Sequence, residues 1–317
     1  MSILYFIMQQ TMFFAIPLLI VAIGGMYSER SGVVNIALEG IMIMGALAGT
    51  VFIHLMGETM SGQGLLILAL LISALVGGLF SLLHAFAAIQ LKADQTISGT
   101  ALNMFAPAFA VLVARSLLQV QQVPFKNTFL IGKVPVLGDI PLIGPMFFQK
   151  SYITTYIGLV LFALAAFVIN KTKFGLRLRA CGEHPSAADS VGVNVYRIRY
   201  AGVFISGVLG GIGGLVFIIP TSTVFNASVA GYGFLALAVL IFGQWRSRKI
   251  FYAAFFFAIM KTLASAYSAI PVLKNLPLPN EVYKMFPYLA TLVVLAFISK
   301  NSQAPRASGI PYDKGSR

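Results

Sequence analysis

The chain has 317 residues, of which 58% are hydrophobic and only 10% charged, whereas an ordinary soluble domain is roughly 25% charged. This composition excludes a soluble globular protein and predicts an all-α, polytopic membrane protein. The net charge of +13 would favour a nucleic-acid partner in a soluble protein. Here the basic residues lie between the apolar runs, where they indicate membrane topology and no nucleic-acid partner is expected.

Apolar runs close to the roughly 20 residues that a membrane-spanning helix needs recur along the chain. Nine spans are predicted, at about 4–27, 33–56, 64–91, 95–118, 152–170, 200–220, 231–245, 250–270 and 285–299. The first basic residue is Arg30, so the first run lacks the charged start of a signal peptide and is expected to remain as a span. Residues 1–300 thus form one transmembrane domain, and the polar residues 301–317 are expected to be a flexible tail.

Two loops are long enough to have a structure of their own. The loop at 119–151 is rich in proline and glycine, and its three X-Pro steps predict a stiff segment. The loop at 171–199 is basic and has the sequence CGEHPSAADSVGV at its centre. That stretch predicts a short helix, because Pro185 suits a first helical position and Gly192 suits a position just past the end.

The basic residues also predict the orientation. If the loop at 171–199 is cytoplasmic, alternation places fifteen Lys and Arg on the inner side and six on the outer side, with Lys261 inside a span. The excess on one side supports nine spans with the N-terminus outside and the C-terminus inside. Cys181 is the only cysteine, which excludes an intrachain disulfide, and it lies in the loop assigned to the cytoplasm.

No catalytic pattern is found in the chain. It has no P-loop, no HExxH, no GxSxG and no cluster of histidine and cysteine, and its three histidines are dispersed. We therefore expect no catalytic residue, no metal site and no bound cofactor, and the remaining function class is transport or conduction.

Polar residues within the predicted spans mark a candidate translocation path, because each is costly in hydrocarbon. The candidates are Gln9, Gln10, Asn35, Glu39, Asn103 and Lys261. They could line a polar cavity for a hydroxylated solute, or they could bond helices to one another. For Glu39 and Lys261 a structural ion pair is the favoured interpretation. GxxxG pairs such as Gly207–Gly211 favour close helix packing over a gating hinge.

Four stretches together resemble one family. They are SERSGVVNIALEG from Ser28, VLGDIPLIGP from Val136, CGEHPSAADSVGVNVYRIRY from Cys181 and GYGFLALAVLIFGQW from Gly231. In this order they are similar to the permease subunits of nucleoside and simple-sugar ABC importers, over most of residues 4–300. Two departures stand out: His184 replaces the usual asparagine of the third stretch, and Lys261 is not typical of the family.

The resemblance implies an importer of a small-molecule solute in the bacterial cytoplasmic (inner) membrane. An ABC ATPase subunit, carrying ATP and Mg, would drive alternating access. A second permease subunit, expected to be homologous, and an extracytoplasmic substrate-binding protein or lipoprotein would complete the assembly. The short helix would be the coupling helix that contacts the ATPase, through Gly182, Glu183, His184, Pro185, Ala187, Ala188, Asp189 and Gly192.

Two alternatives to the nucleoside or sugar importer remain at this point. A permease of a branched-chain amino-acid ABC importer would need an apolar pocket with one carboxylate anchor. A secondary transporter without an ATPase would need ion coupling within this chain, for which a Glu39–Lys261 relay would be the best support.

Overall fold

The computed structural model describes residues 2–266 and 303–315, and between these ranges only Pro279, Val282, Tyr283, Met285, Leu289 and Leu292. Helices dominate this part of the chain. They are α1 (Ser2–Ser31), α2 (Leu38–Met56), α3 (Gly62–Ile89), α4 (Gln95–Leu118), α5 (Ile153–Lys171), α6 (Lys173–Glu183), α7 (Pro185–Ser190), α8 (Val195–Thr221), α9 (Tyr232–Phe242) and α10 (Ser247–Ala266).

Seven of these helices are long and apolar enough to cross a membrane, namely α1 to α5, α8 and α10. The polytopic helical fold is thereby confirmed. The predicted seventh span at 231–245 is shorter than expected, because α9 has 11 residues and rises only about 16 Å, against the roughly 30 Å of a bilayer core. The ninth, at 285–299, lies outside the described residues except for Met285, Leu289 and Leu292, so the count of nine stays a prediction.

Helix α8 is the centre of the bundle and packs on α1, α2 and α3. Glycines make this possible: a Cβ on Gly211 would clash with the carbonyl oxygen of Ser73, and a Cβ on Gly45 would clash with the backbone of Gly211. Gly77 approaches Gly207 and Gly211 in the same way. The predicted close packing of the GxxxG faces is confirmed.

The loop at 119–151 contains short strands that the sequence pattern did not predict. Strand β1 (Val123–Pro124) pairs antiparallel with β4 (Val224–Phe225), and β2 (Leu130–Lys133) pairs antiparallel with β3 (Gln149–Tyr152). A 3-10 turn at Leu137–Asp139 and a π-helical turn at Gly144–Phe148 fill the interval between β2 and β3. Backbone hydrogen bonds therefore hold this loop over the helix ends.

Contacts group the loops at two ends of the bundle. At one end Arg30 meets Glu183 at 3.3 Å and Lys92 meets Asp313 at 2.6 Å. At the other end, Gln9 donates to the carbonyl oxygen of Pro145 at 2.7 Å, and Lys126 forms an ion pair with Glu58. This is the grouping that the alternation of basic loops requires. We call the first the basic end.

The structure differs from the expected flexible tail at residues 303–315. The amide of Ala307 donates to the carbonyl oxygen of Gly182 at 2.8 Å, and that of Gly309 donates to Gly32 at 3.2 Å. Ala307 and Tyr312 are buried. The polar composition predicted a flexible tail because it does not show hydrogen bonds that are donated by backbone amides, such as those of Ala307 and Gly309.

Candidate functional site

Two short helices at the basic end form the candidate coupling site. Thr172 caps α6, since its Oγ1 accepts from the amide of Gly175 at 3.2 Å. His184 interrupts the helix with non-helical backbone, at a φ of −142° and a ψ of 84°, and α7 then begins at Pro185. Gly192, at a φ of +86°, ends it, because this left-handed conformation favours glycine. The predicted short helix and both of its boundary residues are confirmed.

One face of the α6–α7 segment is fixed to the first membrane helix. A Cβ at Gly182 would clash with the carbonyl oxygen of Arg30, so the two backbones touch. The next residue, Glu183, accepts from Arg30 Nη1 at 3.3 Å through its Oε1. Arg30 also donates to the carbonyl oxygen of Trp245 at 2.9 Å. The segment is therefore attached to the C-terminal end of α1 by a backbone contact and an ion pair.

The C-terminal tail holds the same segment from the other side. Glu183 Oε2 accepts from the amide of Arg306 at 3.5 Å, and Lys314 lies 3.6 Å from Asp189. The ring of Tyr312 joins a buried cluster with Cys181 and Ala188. The tail continues over α8, where the buried Arg199 donates to the carbonyl oxygen of Ile310 at 3.0 Å. Residues 303–315 are thus a strap that closes over α7, which we call the C-terminal strap.

The opposite face of α7 is exposed. His184, Ala187 and Val191 lie on it at helical spacing, and Val191 is 78% exposed. Ser186 is exposed beside them. We call these four residues the α7 outer face. Val191 and Ser186 were not among the residues predicted for the site, although Val191 follows Ala187 by four residues and His184 by seven, which is helical spacing.

The eight coupling candidates therefore divide into four groups. Gly182 and Ala188 are buried, while Glu183 and Asp189 contact Arg30 and Lys314 respectively. His184 and Ala187 face solvent, whereas Pro185 and Gly192 shape the helix ends. Only the exposed members are positioned to contact another chain.

Burial and pairing shift the ionisation of groups at this end. Burial raises the pKa of the Cys181 thiol to about 11, which keeps it protonated and unreactive at neutral pH. The hydrogen bond from Lys92 holds the pKa of Asp313 below its usual value, and the same bond raises the pKa of Lys92. Both groups are therefore charged across the physiological pH range, and the ion pair is present throughout it.

A second polar site lies where the starts of α2 and α9 meet. The carboxylate of Glu39 accepts from the amides of Gly231 at 2.9 Å and Gly233 at 2.6 Å. Glu39 is buried, and a Cβ at Gly233 would clash with its backbone. The negative charge is placed at the positive end of the α9 dipole, which stabilises it.

Two asparagines tie the same region to neighbouring helices. Asn103, on α4, accepts from the amide of Gly40 at 2.7 Å and donates to the carbonyl oxygen of Ile36 at 2.8 Å. Asn35 donates to Ser206 at 2.9 Å, while its Oδ1 is buried and finds no hydrogen-bond partner among the described residues. We call Asn35, Glu39 and Asn103 the polar junction.

The structure does not bring the other path candidates to this junction. Gln9 donates to the carbonyl oxygen of Pro145 in the loop at 119–151, and Gln10 and Lys261 are partly buried on α1 and α10. Glu39 and Lys261 form no ion pair with each other, so the favoured interpretation of a structural pair is wrong. The reason is that the backbone amides at the start of α9 satisfy the carboxylate. In the described part of the chain, no group of three or more His, Cys, Asp or Glu is placed to hold a metal ion.

Comparison with known proteins gives a consistent set of relatives. The profile of the family described as "Branched-chain amino acid transport system / permease component" matches residues 7–295. The guanosine ABC transporter permease protein NupQ of Bacillus subtilis is 42% identical over 100% of this chain and 99% of its own length. The nucleoside ABC transporter permease protein NupC of Lactococcus lactis is 41% identical over 98% of both chains.

A more distant relative is the putative glucose ABC transporter permease protein TsgC13 of Haloferax volcanii, at 29% identity over 92% of this chain and 91% of its own. No solved structure was found to match the chain.

Proposed function

We propose that this chain, which belongs to the family of branched-chain amino acid transport system permease components, imports nucleosides as the permease subunit of an ABC importer. Membership of the ABC importer permeases follows from similarity over the full length of the chain. The chain is accordingly a multi-pass protein of the inner membrane and a transport subunit. Nucleosides are proposed as the solute because NupQ and NupC, which are 42% and 41% identical to this chain, are named as guanosine and nucleoside permeases.

The observation that carries the mechanism is the two-sided placement of α7. Glu183, at the end of α6 directly before it, pairs with Arg30 of α1, and the C-terminal strap covers the buried side of α7. Its outer face presents His184, the small side chains of Ser186 and Ala187, and the exposed Val191. A ligand shifts a conformational equilibrium only through different affinities for the two states. A rigid helix with one face fixed and one face free meets that requirement for a coupling helix.

We infer that the partner on the α7 outer face is an ABC ATPase subunit, which would hold the ATP and Mg. The basic end would then be cytoplasmic, as the excess of Lys and Arg indicates. A substrate-binding protein would dock at the opposite end, where the β-paired loop at 119–151 lies. A second, homologous permease would complete the translocation path.

The polar junction is the proposed wall of that path. In the present conformation its groups are engaged between helices, apart from the buried Asn35 Oδ1. Helices α2 and α9 both begin there, and discontinuous helices of this kind mark substrate sites in other transporters. When the helices separate during transport, amide and carboxylate groups would become available to base edges and ribose hydroxyls.

The test is ATP-dependent uptake of a labelled nucleoside by proteoliposomes that contain the assembled complex. Ribose, galactose and leucine compete in parallel. Val191→Asp places a charge on the α7 outer face, and we expect uptake to fall at least tenfold while ATP hydrolysis continues. Leu91→Asp is the matched control, because Leu91 is 64% exposed at the same end of the bundle, between α3 and α4, and uptake should stay at the parent level.

Each alternative has a distinct result. Uptake that leucine alone suppresses would replace nucleosides by a branched-chain amino acid, and uptake that free sugars alone suppress would replace them by a sugar. If Val191→Asp transported at the parent rate, α7 would not be the coupling element. Nucleoside uptake by this chain without an ATPase would overturn the whole mechanism.

A further inference from the structure

A large cavity opens at the basic end of the bundle. It has a volume of about 850 Å³ and lies among the inner ends of α1 and α5, helix α6 and the start of α10. Six cationic side chains line it: Arg30, Lys171, Arg179, Arg246, Arg248 and Lys249. No aspartate or glutamate is among its described lining residues. The cavity therefore concentrates positive charge from three separate segments of the chain.

Most of this charge is not neutralised within the protein. Arg30 is engaged by Glu183 and by the carbonyl oxygen of Trp245. By contrast, Lys171, Arg248 and Lys249 are exposed and take part in none of the ion pairs among the described residues. The positive-inside rule alone accounts for cations at this end, but it does not require them to converge on one cavity. Convergence of this kind favours an anionic ligand.

An apolar groove continues from the cavity along the flank of the bundle. It has a volume of about 170 Å³ and shares Ser247, Arg248 and Tyr252 with the basic cavity. Its other lining residues are Phe162 and Ala166 of α5 and Phe251 of α10. Both helices are long and apolar enough to span a membrane. The groove thus leads from the cations into the hydrocarbon region.

The membrane-facing position of the groove has independent support. Leu164 and Phe167, on α5, are 56% and 60% exposed, as expected for side chains in contact with lipid. Tyr252 is 67% exposed at the point where the two cavities join. Tyrosine is enriched at the level of lipid headgroups, because its ring is apolar and its hydroxyl is polar.

We propose that the cavity and the groove together bind one anionic phospholipid. The phosphate lies among the cations, and an acyl chain lies along the groove between α5 and α10. A soluble anion would use the basic cavity alone, whereas only a lipid uses both parts. The bound lipid would brace α5 against α10 directly beside α6, which carries the coupling helix.

The test measures lipid binding to the purified full-length chain in non-ionic detergent by native mass spectrometry. Phosphatidylglycerol is compared with phosphatidylcholine, with inorganic phosphate as a competitor. We expect Arg246→Gln/Arg248→Gln/Lys249→Gln to weaken phosphatidylglycerol binding roughly 100-fold, since each of the three cations contributes about one kcal/mol near a charged membrane and about 1.4 kcal/mol is tenfold. Lys173→Gln/Arg177→Gln/Arg197→Gln removes equal charge at the same end outside both cavities and should bind as the parent does.

A second variant keeps every charge. Ala166→Phe fills the groove and should weaken phosphatidylglycerol binding several-fold, whereas Ala163→Phe, on the exposed side of the same helix, should not. The proposal is overturned if phosphatidylcholine binds equally well, or if the cavity triple variant and its control lose the same affinity. It is also overturned if phosphate displaces the lipid while Ala166→Phe has no effect, which would indicate a soluble-anion site. None of these measurements depends on nucleoside transport.

Discussion

Tyr312, near the end of the chain, lies with its ring centroid 5.5 Å from that of Tyr196, at the start of α8. The hydroxyl of Tyr196 also donates to the backbone carbonyl oxygen of Tyr312 at 3.4 Å. Through this contact the C-terminal strap covers Cys181, which packs in a buried cluster with Ala188, Val195 and Tyr312. The buried side of α7 is therefore completed by residues more than a hundred positions further along the chain.

Truncating the ring that closes this cluster should expose the thiol. In Tyr312→Ala, we expect maleimide to modify Cys181 at least tenfold faster at pH 8. The reason is that the parent thiol is buried with a pKa of about 11, so only about one thiol in a thousand is ionised at that pH. Cys181 is the only cysteine of the chain. The mass shift of the intact protein therefore measures maleimide modification of Cys181 alone.

Tyr312→Phe is the matched control, because it keeps the ring and should be modified at the parent rate. Deletion of residues 303–317 should accelerate modification at least as much as Tyr312→Ala. Equal rates for the parent and Tyr312→Ala would show that the strap does not protect Cys181.

Some features of the coupling site could be predicted from the sequence because local backbone chemistry determines them. Pro185 and Gly192 specify the two ends of α7 without reference to any other part of the chain. The strap could not be predicted, since it is attached largely through the amides of Ala307 and Gly309. A backbone amide is the same in every sequence, so composition alone indicated a flexible tail.

The partner of Glu39 was missed for a related reason. The rule that intramembrane charges pair favoured the side chain of Lys261. The carboxylate of Glu39 instead accepts from the amides of Gly231 and Gly233. These amides lie at the start of α9, almost two hundred residues further along the chain. A helix N-terminus can replace a cationic side chain, and the pattern of a single sequence does not show which helix start will be close.

Removing the carboxylate of Glu39 should destabilise the protein. Glu39→Ala leaves the buried amide of Gly233 and the partly buried amide of Gly231 without their acceptor, and a buried amide of this kind costs about 1–3 kcal/mol. Glu39→Gln retains one acceptor oxygen and should cost less. Thermal unfolding in detergent, followed by circular dichroism, measures both variants against the parent.

Two further variants separate this role from a general effect of charge. Glu58→Ala removes an exposed acid that pairs with Lys126, and it should leave the unfolding temperature close to that of the parent, because solvent screens an exposed ion pair. Lys261→Met should likewise have little effect. If Lys261→Met were as damaging as Glu39→Ala, the two side chains would be energetically coupled after all, and capping of α9 would not explain the role of Glu39.

The start of α4 should make the stability of the protein depend on acid pH. Asp94 caps this helix, because its Oδ1 accepts from the amides of Thr96 at 2.8 Å and Ile97 at 2.9 Å. These hydrogen bonds, that from Ile97 above all, hold the pKa of Asp94 below its ordinary value of 3.8. The charged form is therefore favoured in the folded protein. Its stabilising contribution is complete above the ordinary pKa and is lost as the pH falls through the lower folded value.

Asp94→Asn isolates this contribution, because asparagine keeps an acceptor oxygen and caps helices about as well but carries no charge at the helix start. We expect the parent to unfold at a higher temperature than Asp94→Asn by a constant margin between about pH 5 and pH 8. The margin should shrink to zero as the pH falls below 3.8. Unfolding temperatures of both proteins, measured in one detergent across this range, provide the comparison. A margin that stays constant down to the lowest pH, or that grows on acidification, would show that the cap does not depend on the ionised carboxylate.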